Sequence, residues 1–349
     1  MQKTLAKINL KSILSNAELL KEKSGSKLCA VVKANAYGHG AEEVVNALNG
    51  VADCFAVALI EEGISIKDTA AGKDILVFTP PLDSEQVRQI LENGLIASVG
   101  DLQTARLVAR VAKTTGKVCR VHLKVNLGMN RYGANSSCLG KICRFLSAQK
   151  WVSVEGLYGH IYRQTLQAAT DCKTRFIACK RIYERYFSSG VFHLSATYGV
   201  ALGREFSFDM VRVGIGLYGY FPTQDCANAF CRPLEKAMRV YARVSCARTY
   251  TSGGVGYGDA TAKKGQNLSV LRCGYADGFL RKKENGTDGA EQNANVSCMD
   301  VCIRLSKSKK GGWQAVMTDA DKTARETGTI SYEVLCAATR RAEFEYEYE

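Results

Sequence analysis

Residues Ala30 to Gly40, AVVKANAYGHG, are the stretch from which the rest of the chain can be read. An apolar run, Leu28–Val32, reads as a buried parallel strand that delivers a lone lysine, Lys33. Small residues, Tyr37 and two glycines follow, and then a helical pattern, AEEVVNAL, over residues 41–48. Strand, glycine-containing turn and helix make a βα unit, and α/β folds present their chemistry at the C-terminal ends of such strands. An amine held there in apolar surroundings has a lowered pKa and is able to form a Schiff base.

The same alternation continues along the chain. Candidate strands are Cys29–Lys33, Phe55–Ala58, Ile75–Phe78, Leu95–Val99, Val118–Val125, Val152–Tyr158, Phe192–Ala196 and Met210–Val213, separated by helical patterns such as Ser84–Asn93, Asp101–Thr115 and Ala168–Phe187. Asp83 and Asp101 suit helix N-caps, and Gly94 and Gly116 suit the positions just past helix ends. Eight such units predict an α/β fold, a TIM (β/α)8 barrel, over residues 1–232. The leader Lys3–Leu20 reads as a helix outside that barrel. From Pro233 the pattern is β-type alternation punctuated by glycine (Val240–Ala247, Leu268–Leu271, Val301–Leu305), so a mainly-β C-terminal domain is expected over 233–349. The tail EFEYEYE alternates strictly and suits either an edge strand or a frayed acidic end.

Composition narrows the function classes. A chain of 349 residues is long enough for two domains, and 46% hydrophobic with 23% charged residues is ordinary for a globular protein. No apolar stretch approaches the roughly 18 residues that span a bilayer, and the start lacks the apolar core of a signal peptide. The formal charge of +13 comes from scattered basic residues, with only short clusters such as Lys307–Lys310 and no aromatic-interleaved stripe, which argues against a nucleic-acid partner. Fourteen cysteines include no CxxC pair, and none of the four histidines stands at metal-site spacing from another. The cysteines therefore read as small buried hydrophobes in a reducing compartment, and the expected location is cytoplasmic, with no metal.

The loops after the seventh and eighth candidate strands, Ser195–Gly199 and Gly214–Gly216, place a hydroxyl beside glycine-permitted backbone, as a phosphate cradle requires. GIGLYG, residues 214–219, matches GxGxxG formally, but Pro222 follows and no helix opens there, which argues against a dinucleotide site. Arg212 lies at a strand end in the same layer as Lys33; facing a pyridine nitrogen, its guanidinium would leave that nitrogen unprotonated. Exchanging an α-proton between two faces needs two acid/base groups. Lys33 supplies one, and Tyr257, in the glycine-rich turn GGVGYGDA (Gly253–Ala260), is the candidate for the other. His160, at the end of the sixth candidate strand, is placed to relay between Tyr257 and Arg212.

With these pieces in hand, the chain resembles the alanine racemase family of fold type III pyridoxal 5'-phosphate enzymes over nearly its whole length. The matching segments are AVVKANAYGHG, VHLKVNLGMNRYG, DMVRVGIGLYG, VGYGDA, GYADGF, CMD and ISYE, in the family's order. The resemblance implies that Lys33 carries the cofactor and acts as one base, while Tyr257 acts as the other from the partner subunit of a homodimer with shared sites. It assigns Arg212 to the pyridine nitrogen and Arg131 to the cofactor phenolate and substrate carboxylate. Lys124 matches a lysine often carbamylated to orient that arginine. Tyr37, Thr197, Gly214, Ile215 and Tyr332 match phosphate ligands; Tyr275, Met299 and Asp300 match the partner's substrate-access side. The implied activity interconverts L- and D-alanine, supplying D-amino acid for cell-wall peptidoglycan.

The departures are specific. Asn126-Leu127 replaces Asp-Thr before GMNR, GHIYRQ lacks the T-H-F/L pattern, and the stretch between Gly278 and Cys298 is short and polar. HLSATYG and VGYG are closer to the serine racemases of vancomycin resistance, so serine is the alternative substrate. ISYE, however, keeps Tyr332 where those enzymes carry asparagine. A non-catalytic cofactor carrier on the same barrel is the reading from another class, and a second domain bearing Tyr257 argues against it. A fold type III decarboxylase fits Arg212 less well than proton exchange does.

Overall fold

The computed structural model describes residues 4–257, 262–281, 296–306 and 311–348. The chain divides into two compact units: Ser12–Ala36 with Ala41–Glu235, and Met1–Lys11 with Tyr37–Gly40 and Lys236–Glu349. It starts with a strand, β1 (Thr4–Asn9), followed by a helix, α1 (Leu10–Ser24). The expected leader helix is thus corrected over its first half. Thr4, Ala6 and Ile8 are buried and their neighbours are not, a period of two that belongs to a strand; the helical period begins at Leu10.

The larger unit is a parallel barrel. Its strands are β2 (Lys27–Val31), β3 (Cys54–Val57), β4 (Ile75–Val77), β5 (Ala97–Val99), β6 (Cys119–Lys124), β7 (Val152–Tyr158), β8 (Val191–His193) and β9 (Met210–Val213). They pair in parallel as β4-β3-β2-β9 and β5-β6-β7-β8. Backbone bonds close both seams: Ile96 N–H donates to Ile75 O and Val77 N–H to Ile96 O, while Arg212 N–H donates to Ser195 O. Eight consecutive parallel strands therefore close in chain order, as predicted. Strands covered on both faces need continuous apolar runs, and β2 has one: Leu28, Cys29, Ala30 and Val31 are all buried.

The crossovers are helical: α2 (Lys33–Gly38), α3 (Ala41–Leu48), α4 (Ile60–Ile66), α5 (Ser84–Glu92), α6 (Leu102–Thr115), α7 (Ser136–Ser147), α8 (Leu166–Tyr183) and α9 (Thr197–Leu202), with a short α10 (Gln224–Asn228) beyond β9. Asp83 and Asp101 cap α5 and α6, accepting from Gln86 N–H and Thr104 N–H. Gly116 ends α6 in the left-handed conformation, with φ +66°. No helix among the described residues is long and apolar enough to cross a membrane.

The second unit is built on one long strand, β10 (Met238–Thr249), which irregularities at Val240/Tyr241 and Val244/Cys246 let serve several partners. With β11 (Asn267–Leu271), β12 (Val296–Ser297), β13 (Cys302–Ser306), β14 (Trp313–Met317) and β15 (Ala342–Glu347), the order is β12-β13-β11-β10-β1-β15, and β14 also pairs with β10. Two helices, α11 (Ala320–Thr327) and α12 (Ser331–Ala338), precede β15. The acidic tail is a strand: β15 runs parallel to β1, and Glu345 and Glu347 pair with Lys7. The cysteines form no disulfide; Cys29, Cys119, Cys143, Cys172, Cys179, Cys226, Cys273 and Cys302 are buried, while Cys231, Cys246 and Cys336 are exposed. The Lys307–Lys310 cluster and most of the polar stretch before Cys298 lie outside the described residues.

Candidate active site

Strand β2 ends at Val31, and Lys33 opens α2 rather than closing the strand. Helix α2 is left-handed: Ala34, Asn35 and Ala36 have φ +53° and Tyr37 has φ +54°. At about 1–2 kcal/mol for each non-glycine residue, such a run stores several kcal/mol directly after the lysine. Strain of that size persists only where the surroundings hold it. Ala36 N–H donates to Val32 O at 2.8 Å, Ala41 N–H to Asn35 Oδ1 at 2.8 Å, and Ala34 N–H to Glu62 Oε1 at 2.7 Å. Gly38 and Gly40 continue the positive φ, at +81° and +88°; a Cβ on Gly38 would stand 2.5 Å from Leu335 O, and one on Gly40 would collide with Tyr346 Oη.

Arg212 sits on β9, which pairs with β2 in register Cys29↔Arg212. Its side chain is buried and its fork is committed: Nη1 donates to His193 Nδ1 (3.0 Å) and His193 O (2.9 Å), Nη2 to Gly159 O (2.7 Å) and Leu194 O (3.1 Å). Of the guanidinium donors, Nε–H alone is unused by these bonds. A guanidinium has no acceptor, so His193 Nδ1 accepts, and its Nε2–H donates to His122 Nδ1 at 2.9 Å. Both imidazoles are buried and neutral: burial pushes His122 down to about 4 and His193 well below its usual value, with Arg212 adding to both shifts. Tyr158 stacks on His193 at 5.0 Å between centroids and shares a 2.6 Å hydrogen bond with Ser98 Oγ; burial raises its phenol to about 12.

The imidazole bonded to Arg212 is His193, and no hydrogen bond joins His160 to Arg212 among the described residues. His160 lines a small cleft with Lys124, Asn126, Arg131 and Tyr132. Burial, and then the charges of Arg212, Lys124, Arg131 and Lys33, hold its imidazole well below the usual pKa. Burial likewise pushes the Lys124 amine well below its ordinary value, reinforced by Arg212 and Arg131; its Nζ stands 4.5 Å from the Tyr158 ring centroid. Glu62, His122 and His193 were not singled out from sequence. Their only signals are local: Glu62 at the third position of a helix, and His122 two residues before Lys124, hence on the same strand face.

The two expected phosphate loops meet. Gly216 N–H donates to Thr197 Oγ1 at 3.2 Å, and a Cβ on Gly216 would lie 2.8 Å from Thr197 Cγ2, so only glycine allows this approach. Gly214 and Ile215 lead into this turn and are buried. Lys33, Thr197 and Arg212 thus stand on or just past three neighbouring strands. In the second unit, Tyr37 and Tyr332 are 6.0 Å apart between ring centroids. Tyr275 N–H donates to Cys298 O and Ala276 N–H to Met299 O, which brings Tyr275, Met299 and Asp300 together, and Arg341 pairs with Asp300 at 3.1 Å. Val255 is buried beneath the turn that leaves Tyr257 76% exposed; residues 258–260 of that motif lie outside the described residues.

These groups fit pyridoxal 5'-phosphate: an amine at a strand end, a hydroxyl-and-glycine cradle too tight for a Cβ, and an arginine whose fork is fixed with one donor to spare. Residues 8–222 match the family model described as Alanine racemase, N-terminal domain, and residues 237–346 match Alanine racemase, C-terminal domain. The chain belongs to the alanine racemase family. It is 30% identical over 287 residues to the alanine racemase of Francisella philomiragia, covering 80% of this chain and 77% of that one. It is 28% identical over 368 residues to that of Symbiobacterium thermophilum, covering 98% and 96%. Among solved structures, an alanine racemase of Clostridium difficile 630 superposes with a TM-score of 0.89 at 25% identity, covering 99% of this chain and 96% of that one. Barrel plus mainly-β domain is therefore the family's architecture.

Proposed function

We propose that this member of the alanine racemase family interconverts L- and D-alanine with pyridoxal 5'-phosphate, Lys33 and Tyr257 serving as the two bases. The observation that carries the reading is Lys33 on its strained turn, one strand from the committed Arg212 and close in the fold to the Thr197 cradle. The chemistry a bound cofactor would supply is electron withdrawal from the substrate α-carbon, which acidifies the α-proton. Lys33 takes or returns that proton on one face and the Tyr257 phenol on the other. Arg212 would face the ring nitrogen and, being unable to accept or give up a proton there, would leave it unprotonated, which favours proton return over decarboxylation or transamination.

Thr197, Gly214 and Ile215 would hold the phosphate and Arg131 would pair with the substrate carboxylate, while Tyr37 and Tyr332 are phosphate ligands by resemblance alone. Lys124, its amine held well below the ordinary lysine pKa by burial and by Arg212 and Arg131, is suited to attack carbon dioxide. The new N–C bond gives a carbamate, a proton leaves, and the negative group orients Arg131. His160 stays neutral beside them. Tyr275, Met299 and Asp300 flank substrate access from the partner subunit of a homodimer, with the barrel domain taken as 1–232 and the second as 233–349. Solvent-exposed thiols at Cys231 and Cys246 suit a reducing compartment, and we place the enzyme in the cytoplasm, supplying D-alanine to peptidoglycan. Borohydride reduction of the cofactor-loaded protein and peptide mapping test the central assignment. The pyridoxyl label is expected on the Lys33 peptide, with D-alanine formed faster than D-serine; label on another lysine refutes the reading.

A further inference from the structure

We propose that Glu62 is the positioning residue that aims Lys33, a role that rests on Lys33 being the cofactor lysine. One carboxylate ties two loops together. Its Oε1 accepts Ala34 N–H at 2.7 Å, and its Oε2 accepts Ala58 N–H at 2.8 Å and Leu59 N–H at 3.0 Å. Ala58 and Leu59 follow β3, which pairs with β2, so Glu62 anchors the turn after β2 to the turn after its neighbour.

The Ala34 amide lies in the same rigid peptide plane as the Lys33 carbonyl and Cα. Holding that N–H therefore fixes the rotation about the Lys33 Cα–C bond and the direction in which the side chain leaves the barrel. Ordinary helical bonding does not do this job. The residue four back, Ala30, is paired into the β2 ladder with Phe55 and Val213, and the chain has turned left-handed. Glu62 is itself held by α4, whose Ile60, Gly63 and Ile66 are buried. Two acceptor oxygens are required. Glutamine has the same shape but a single acceptor, and its amide N–H2 would face another N–H donor, so it keeps only one of the two attachments.

Three proteins test this: wild type, Glu62→Gln, and Ile66→Val, which removes one buried methyl from the same helix. Cofactor-free protein is labelled with acetic anhydride across a pH series, and Lys33 acetylation is read by peptide mapping. Loaded protein is assayed for kcat, KM and the pH midpoint of its visible cofactor band. Glu62→Gln is expected to move both midpoints and to lower kcat about 10²-fold with KM little changed, the usual consequence of a reacting group displaced by about an ångström. Ile66→Val is expected to lower the melting temperature without moving either midpoint. Glu62→Gln behaving like Ile66→Val would overturn the proposal. Should Glu62→Gln not fold, hydrogen exchange in the wild type decides: protection of the Ala34 amide supports the clamp, and exchange at a free-amide rate refutes it. Wild-type protein without a visible band would instead sink the racemase reading itself, and the positioning role with it.

Discussion

Gly159 and Leu127 are two departures from the family pattern that face each other. A Cβ on Gly159 would run into Leu127 Cδ1, and Leu127 is 3% exposed. The bulk gained at 127 occupies the space given up at 159, beside the cleft that holds Lys124, Arg131 and His160. Asn126, standing where the family has aspartate, still accepts two amides, Gly128 N–H at 3.0 Å and Asn130 N–H at 3.1 Å, so the loop keeps its shape. Gly159→Thr alone is expected to cost roughly 1–3 kcal/mol by overpacking, and Leu127→Thr a similar amount through a cavity and a buried hydroxyl. The double variant should lose clearly less than the two together, a coupling of about 1 kcal/mol or more in urea unfolding. Simple additivity would show that the swap is coincidental. Each departure is plain in the sequence; their compensation is not, because it depends on two strand-end loops meeting.

The strands β6 and β8 carry the barrel's buried imidazoles and so set its response to acid. His122 has a folded pKa of about 4, below the roughly 6.5 of free imidazole, and His193 is shifted in the same direction. Above about pH 6.5 both folded and unfolded chains are neutral there and this contribution is complete. As pH falls toward about 4, the unfolded chain binds protons that the native barrel refuses, and each such histidine costs ~1.4 kcal/mol per pH unit. Stability in urea should therefore decline on mild acidification, and His122→Gln should show a shallower decline; an unchanged slope would contradict the burial argument. At this scale most elements were legible. Apolar runs and glycine punctuation located the eight barrel strands, and Asp83 and Asp101 marked helix starts. The leader misled because β1 and α1 abut without a turn, so two periods read as one. The hand of α2 was hidden because Ala34 and Ala36 have no intrinsic preference for positive φ; Glu62 holds the Ala34 amide from outside the run, and Asn35 within it accepts from the Ala41 amide of the next helix.

Across the whole molecule, two bases must flank one α-carbon within about 3–3.5 Å of the reacting atoms. Under the proposed two-fold dimer, each site takes Lys33 from one chain and Tyr257 from the other. Mixing inactive Lys33→Ala protein with inactive Tyr257→Phe protein should restore about a quarter of wild-type activity once subunits exchange, because a mixed dimer holds one intact site. Heterodimers confirmed by native mass spectrometry but devoid of activity would place both bases in one chain. The sequence by itself determined the barrel and the β domain and marked Lys33 and Arg212 as candidates, since hydrophobic period, turn residues and short motifs are properties of neighbours along the chain. Only the tertiary structure decided that His193 rather than His160 bonds Arg212, that Glu62 holds the Ala34 amide, that Leu127 fills the space of Gly159, and that β1 and β15 complete the second sheet. Those pairings depend on strand register and on where crossovers return the chain, and residues distant in sequence carry no local mark of the partner they will meet.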